Sequence, residues 1–200
     1  MGTEIIVLIL VLVAVALVVG IVLFCRIRRD DWQQKAAGKL GEQVATGAIR
    51  SVLSEQDRLF TNVTVRYRGE KAELDNVIVN HNGVFIVEVK NYSGRLRGAE
   101  QDYSWWKYHV SAGGRTYVKE VKNPIRQVRR QTYLLAHFLQ EAGIRAWVDG
   151  YAFLLDGNSP VRSRFVLQNV VQIDRTVHRE GRMALPEETV EKIARLLQNA

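Results

Sequence analysis

Hydrophobic and polar positions follow three rhythms along the chain. From Ile5 to Phe24 every residue is apolar or Gly. At about 1.5 Å per residue such a helix spans about 30 Å, the thickness of a bilayer's hydrocarbon core. Next, "DWQQKAAGKLGEQVATGAIRSVLSE" carries Leu40, Val44, Ala48 and Val52 at helical spacing and predicts a helix from about Gln34 to Ser54. Gly38, Gly41 and Gly47 weaken it, each costing about 1 kcal/mol against Ala.

The rhythm then shortens to two. "RLFTNVTVRY" alternates as a strand. "AELDNVIVN", "HN" and "GVFIVEVKNY" form a hairpin, with Asn82-Gly83 suited to its turn. "DYSWWKYHV" and "RTYVKEV" flank "SAGG" as a second hairpin. Helical spacing returns in "KNPIRQVRRQTYLLAHFLQEAG", with Asn123 as N-cap, Pro124 at the first turn and Gly143 as the stop. A buried strand follows from Gly150 to Leu155, and "RFVLQNVVQID" reads as another short β segment. Residues 184–200, "ALPEETVEKIARLLQNA", make a terminal amphipathic helix with Glu187 and Glu188 in its first turn. This order predicts an α/β (α+β) domain built on a mixed sheet.

Charge fixes the expected organisation. All 28 Lys and Arg residues follow Cys25, and only one of the 21 acids, Glu4, precedes it. Arg26, Arg28, Arg29 and Lys35 therefore flank the apolar run on one side alone. The positive-inside rule predicts a single-pass anchor in the cell membrane, N-terminus outside and C-terminal domain cytoplasmic. The expected division is a transmembrane anchor over 1–25, a basic linker over 26–34 and a globular domain over 35–200. The part beyond Cys25 carries a net charge of +8, which favours polyanions: nucleic acid or the anionic leaflet. Cys25 is the sole cysteine, so an intramolecular disulfide and a multi-cysteine zinc site are excluded. His81, His109, His137 and His178 show no ligand spacing.

One strand poses a chemical question. "GVFIVEVK" looks built for the interior, yet it carries Glu88 and Lys90 on one face. Hairpin pairing brings Asp75 near them, at the Lys90 end. Two carboxylates and one ammonium at the open end of an apolar hairpin suit a hard divalent cation. The same residues also suit a satisfied ion network. Glu42, amid small residues in the first helix, and Gln127, one turn into the helix that begins "NPIRQ", extend the cluster.

Together "GKLGEQVA", "ELDNVIVNHNGVFIVEVKNYSG" and "NPIRQVRRQ" resemble the nuclease-related domain (NERD) branch of the PD-(D/E)XK nuclease superfamily, from about Lys35 to about Leu155. Leu74 stands where the superfamily name has Pro, a position with no chemical role. The resemblance implies a restriction-endonuclease-like core, a central mixed sheet flanked by helices, and Mg²⁺-dependent phosphodiester hydrolysis, with Mn²⁺ as a substitute ion. It implies that Asp75 and Glu88 hold metal, Lys90 serves the attacking water, Glu42 supports the metal site and Gln127 positions groups near it. Lys39, Arg95, Arg126 and Arg130 are the expected nucleic-acid contacts, with DNA favoured over RNA. The expected protein is a membrane-anchored nuclease. The alternative is a membrane protein with a degenerate nuclease fold that binds nucleic acid or a partner without cutting. Trp105, Trp106 and Tyr108 could stack on bases, but packing within the hairpin is their first expectation.

Overall fold

A computed structural model describes residues 38–111, 113–179 and 184–200, together with Leu17, Val19, Gly20, Ile21 and Phe24. These five are helical; the remainder of the expected anchor, its orientation and the linker over 26–34 lie outside the described residues. Among the described residues no helix is long and apolar enough to cross a membrane. Packing divides the chain into two units, Met1–Leu40 and Gly41–Ala200.

Residues 38–50 are helical (α1), and from Gly41 onward they belong to the second unit. That unit is built on a five-stranded sheet: β1 (Arg58–Tyr67), β2 (Glu70–Asn80), β3 (Gly83–Lys90), β7 (Val148–Leu154) and β8 (Val166–Leu167), in the order β1-β2-β3-β7-β8. The first three strands are antiparallel, and β3, β7 and β8 are parallel. The sheet is therefore mixed, with β3 at its centre. A central strand is covered on both faces, which is why its sequence reads as a near-continuous apolar run.

Helices cover the two faces. On one, α2 (Pro124–Glu141) and α4 (Glu187–Gln198) set Leu134, Leu135, Leu139, Val190 and Ile193 against Val77, Val79, Val84 and Ile86. On the other, Ala45 and Ile49 of α1 and Ile173 and Val177 of α3 (Val170–Val177) pack on Ile78, Phe85, Val87 and Phe153. A second sheet, β4 (Arg95–Arg97), β5 (Ser104–Val110) and β6 (Thr116–Lys122), is antiparallel. It turns Leu96 and Trp105 inward against Ile125, Leu154 and Val166, at the N-terminal end of α2. Trp105 is thus a packing residue, while Trp106 is exposed.

Several expectations hold and several are corrected. Asn123 caps α2, its side chain accepting from the Ile125 N–H at 2.9 Å, and Gly143 takes the left-handed φ of +73° just beyond that helix. The first helix ends at residue 50, before Ser54. There the Ser54 N–H and hydroxyl both bind Asp57, turning the chain toward β1. The first hairpin pairs Asn80 with Gly83, so "HN" is its two-residue tip as expected, and Gly83 begins β3 instead of sitting in the turn. In "RFVLQNVVQID" only Val166–Leu167 is strand. Asn169 accepts from the Gln172 N–H at 3.0 Å and starts α3 there, and burial of Ile173 and Val177 on one helical face overrides the β-propensity of Val170 and Val171. Strand β4 was not anticipated at all; three residues give too short a pattern to read.

Candidate active site

Glu88 lies two residues before Lys90, the last residue of β3, and is only 2% exposed. A lone buried carboxylate costs several kcal/mol, so it must be compensated. Three donors converge on it. The Lys90 ammonium, two residues along the same face, donates to Oε1 at 2.5 Å. Gln127 Nε2 also donates to Oε1. Gln131 Nε2, one turn further along α2, donates to Oε2 at 2.6 Å and shares itself with the Glu73 carbonyl at 2.9 Å. The i, i+4 spacing of the two glutamines aims both amides at the same carboxylate. Asn123, by fixing where α2 begins, sets that aim; its amide also holds the carbonyls of Glu100 and Asp102, at 3.0 and 2.8 Å.

Asp75 lies across the hairpin. The β2–β3 ladder ends at Asn76 opposite Val87, so continuing the register sets Asp75 opposite Glu88 rather than nearer Lys90. At this point the side chain replaces the ladder: Asp75 Oδ2 accepts from the Val89 N–H at 2.8 Å. Burial, then the Glu88 charge, with Glu42 adding to it, raise the Asp75 carboxyl from 3.8 to about 7, against the opposing pull of the Val89 N–H and Lys90. Glu42 therefore acts on Asp75 through its charge. It rides on α1 beside Gly41, where a Cβ would stand 3.0 Å from the Asn91 amide, so the small residue lets the helix approach the end of β3. For Lys90, burial depresses the ammonium, but Glu88 and the other anions around it more than offset this and its pKa is raised. The Tyr92 phenol, also raised by burial, donates to the Lys122 carbonyl at 3.3 Å and ties the end of β3 to the second sheet.

Glu42, Asp75, Glu88, Lys90 and Gln127 thus lie in one charged cluster at the C-terminal end of β3. Two residues escaped the sequence reading. Gln131 closes the stretch "NPIRQVRRQ", and its spacing of four from Gln127 carried the signal. Asn76, fully buried, accepts from the Thr46 hydroxyl at 2.9 Å and donates to the Val87 carbonyl at 3.4 Å, tying α1 to the strands that carry the carboxylates. Of the expected nucleic-acid contacts, Arg95 is exposed on β4. Arg126 stacks over Tyr103 at 5.1 Å. Arg130 pairs with Glu70 at 2.8 Å and also donates to the Lys71 carbonyl. Lys39 belongs to the first unit.

The donor set can be weighed for a divalent cation. Among the described residues no group of three or more His, Cys, Asp or Glu is arranged to hold a metal. Mg²⁺ asks for less: one or two carboxylates, with water and substrate phosphate completing its shell. Asp75 and Glu88 would supply two hard oxygen ligands from facing strands. Their mutual repulsion, recorded in the raised Asp75 carboxyl, is the kind of charge imbalance that a bound cation relieves. Gln131 Oε1 is a buried acceptor with no protein donor. These features fit a hard cation.

Residues 37–155 match the family described as nuclease-related domain (NERD). An uncharacterised protein of Bacillus anthracis is 32% identical to this chain over 72 residues, which is 36% of this chain and 34% of that protein. The match thus spans about a third of that relative's length. No solved structure matches the chain.

Proposed function

The chain belongs to the nuclease-related domain family, within the PD-(D/E)XK-like nuclease superfamily, and from that premise we propose that it is a Mg²⁺-dependent nuclease hydrolysing phosphodiester bonds of DNA, or of RNA. The observation that carries this reading is the pairing of a buried, triply hydrogen-bonded Glu88 with an Asp75 that repels it across the hairpin.

Asp75 and Glu88 would hold the cation, which when bound supplies Lewis-acid stabilisation of phosphoryl charge and acidifies water. The chain's own residues do the rest. Gln127 and Gln131 lock the Glu88 carboxylate so that both oxygens keep fixed positions. Lys90, with its pKa raised, stays an ammonium at neutral pH. It therefore acts as a donor to a phosphate oxygen or to the attacking water, not as the base. Asp75, raised to about 7 by burial and then by Glu88, would ionise once a cation offsets that repulsion. Glu42 adjusts that carboxyl through its charge. Arg95, exposed on β4, would be one of the phosphate contacts. The apolar run from Ile5 to Phe24, with basic residues on its C-terminal side only, supports anchoring in the membrane with this domain in the cytoplasm.

A second reading has its own support. Both Glu88 oxygens already carry donors, as in a self-contained ion network. A protein of this kind would bind nucleic acid without cutting it. The purified chain, incubated with labelled DNA and RNA in Mg²⁺, Mn²⁺ or chelator, separates the two. Metal-dependent cleavage that is lost in Glu88→Gln supports the nuclease; binding at low salt with no cleavage under any metal supports the second reading.

A further inference from the structure

A cavity of about 740 Å³ opens on the far flank of α2 from Glu88. Gln127 and Gln131 face the carboxylates, whereas Arg129, about 200° round the helix from Gln127, lines the cavity with Thr132. Four consecutive residues of β7, Val148 to Tyr151, line it as well. Successive side chains of a strand point to opposite faces, so a cavity lined by all four runs along the strand's edge. That edge is open because β8 pairs only with Ala152 and Phe153. The Ala152 N–H bonds the Phe165 carbonyl on this side, so by alternation the Gly150 N–H and C=O face the same edge.

The chemistry of the lining is uneven. Arg129, Arg164, Arg175 and Arg179 surround it, with Asp149 as the single carboxylate, a net of +3. Arg129 is committed to Glu100 at 2.6 Å, and Arg179 to the Tyr151 hydroxyl at 3.1 Å and, more loosely, to Asp149 Oδ2 at 3.9 Å. Among the described residues Arg164 and Arg175 make no ion pair; Arg164 lies against the Phe165 ring at 4.7 Å. Trp147 is 42% exposed, and its indole N–H donates to Asp149 Oδ1 at 3.1 Å. One part of the cavity thus offers two guanidiniums with no carboxylate partner. Another places the partly exposed Trp147 indole beside Asp149, next to a stretch of β7 edge that no described strand pairs.

We propose that this cavity is a nucleotide-binding site, separate from the carboxylate cluster. Arg164 and Arg175 take the phosphate through charge-assisted hydrogen bonds. Trp147 supplies a stacking surface for a planar base. Asp149 accepts from an exocyclic amine, which selects amine-bearing bases such as adenine over uracil. The volume lies within the range of small-molecule sites and is too small for a duplex. Arg164 and Arg175, without an ion pair among the described residues, gain a counter-charge when a phosphate enters, so binding also stabilises the fold.

Calorimetry and thermal melts on the purified full chain test this, in chelator so that no metal bridges a nucleotide to Asp75 and Glu88. The probes are ADP, UDP, inorganic phosphate and a 5′-phosphorylated trinucleotide. ADP is expected to bind at least tenfold more tightly than phosphate, and more tightly than UDP, and to raise Tm. Arg164→Ala with Arg175→Ala should weaken ADP at least tenfold while the unliganded Tm is unchanged or higher. Asp149→Asn should narrow the gap between ADP and UDP. Glu88→Gln should leave ADP binding intact, which distinguishes this site from the nuclease reading. Tighter binding of the trinucleotide than of ADP assigns the phosphate to a strand end, and the reverse assigns it to a free nucleotide; both support the site if they depend on Arg164 and Arg175. No binding of ADP or trinucleotide at millimolar concentration, full binding by the double variant, or loss of binding in Glu88→Gln would overturn the proposal.

Discussion

Replacing Asp75 by Asn removes one charge and almost no volume. In the folded chain its carboxyl is raised from 3.8 to about 7, first by burial, then by Glu88. A carboxyl that holds its proton more tightly when folded favours folding at low pH. That contribution is fully present below about 3.8 and is lost as pH rises through about 7. The gap is worth about 4 kcal/mol once the folded group has ionised. Asp75 is partly exposed and solvent screens it, so about 2 kcal/mol is the expected size at pH 8. Asn keeps the acceptor for the Val89 N–H and carries no charge. Asp75→Asn should therefore match wild type near pH 4 and exceed it by about 2 kcal/mol near pH 8 in chelator, the difference opening in between. Urea unfolding at pH 4, 6 and 8 measures this. Added Mg²⁺ at pH 8 should stabilise wild type and leave the variant unmoved. If Asp75 instead belongs to a balanced ion network, the sign reverses. A loss of roughly 3–5 kcal/mol in chelator, with wild type indifferent to Mg²⁺, would refute the reasoning.

Other perturbations test neighbouring parts of the site. Glu88→Gln should abolish most cleavage, a loss of several kcal/mol of transition-state stabilisation, yet still fold, because Gln127 or Gln131 can turn its amide over to accept from the new NH₂; normal cleavage in steady-state assays would exclude the assignment. Lys90→Ala should lower cleavage similarly and destabilise by roughly 3–5 kcal/mol, since a 3%-exposed side chain at Glu88 loses its paired ammonium. Gln131→Leu leaves Glu88 Oε2 and the Glu73 carbonyl without their donor; a Tm within error of wild type would show that the glutamine pair is dispensable. His178 is clamped between Asp57 at 2.9 Å and Asp174 at 2.7 Å and its pKa is raised: burial alone would lower it, but the two carboxylates outweigh that. Its contribution is therefore present below about 6.5 and fades as pH rises through the higher folded value, and His178→Ala should cost less than about 1 kcal/mol at pH 5.5 and still less at pH 8.5, read by chemical denaturation.

What the sequence determined by itself were the features written in local pattern. Alternation marked β1, a near-continuous apolar run marked β3, and the Asn123-Pro124 pair placed the start of α2, because caps and periods act over a few residues. The charges in "VEVK" stood out on a strand otherwise built for the interior, hairpin pairing brought Asp75 to them, and the roles of Glu42 and Gln127 came from the resemblance to a known family. The tertiary structure decided what depends on residues far apart. The register of β2 on β3 set Asp75 opposite Glu88 and not Lys90. Packing of Ile173 and Val177 against the sheet made a helix of a segment rich in β-branched residues. Gln131 gained its role only when α2 lay across β3, 43 residues away in the chain. The arginine-lined cavity, assembled from α2, β7, α3 and the turn before β8, has no signature in any single stretch. Long-range pairing and burial fix such positions, and no local period records them.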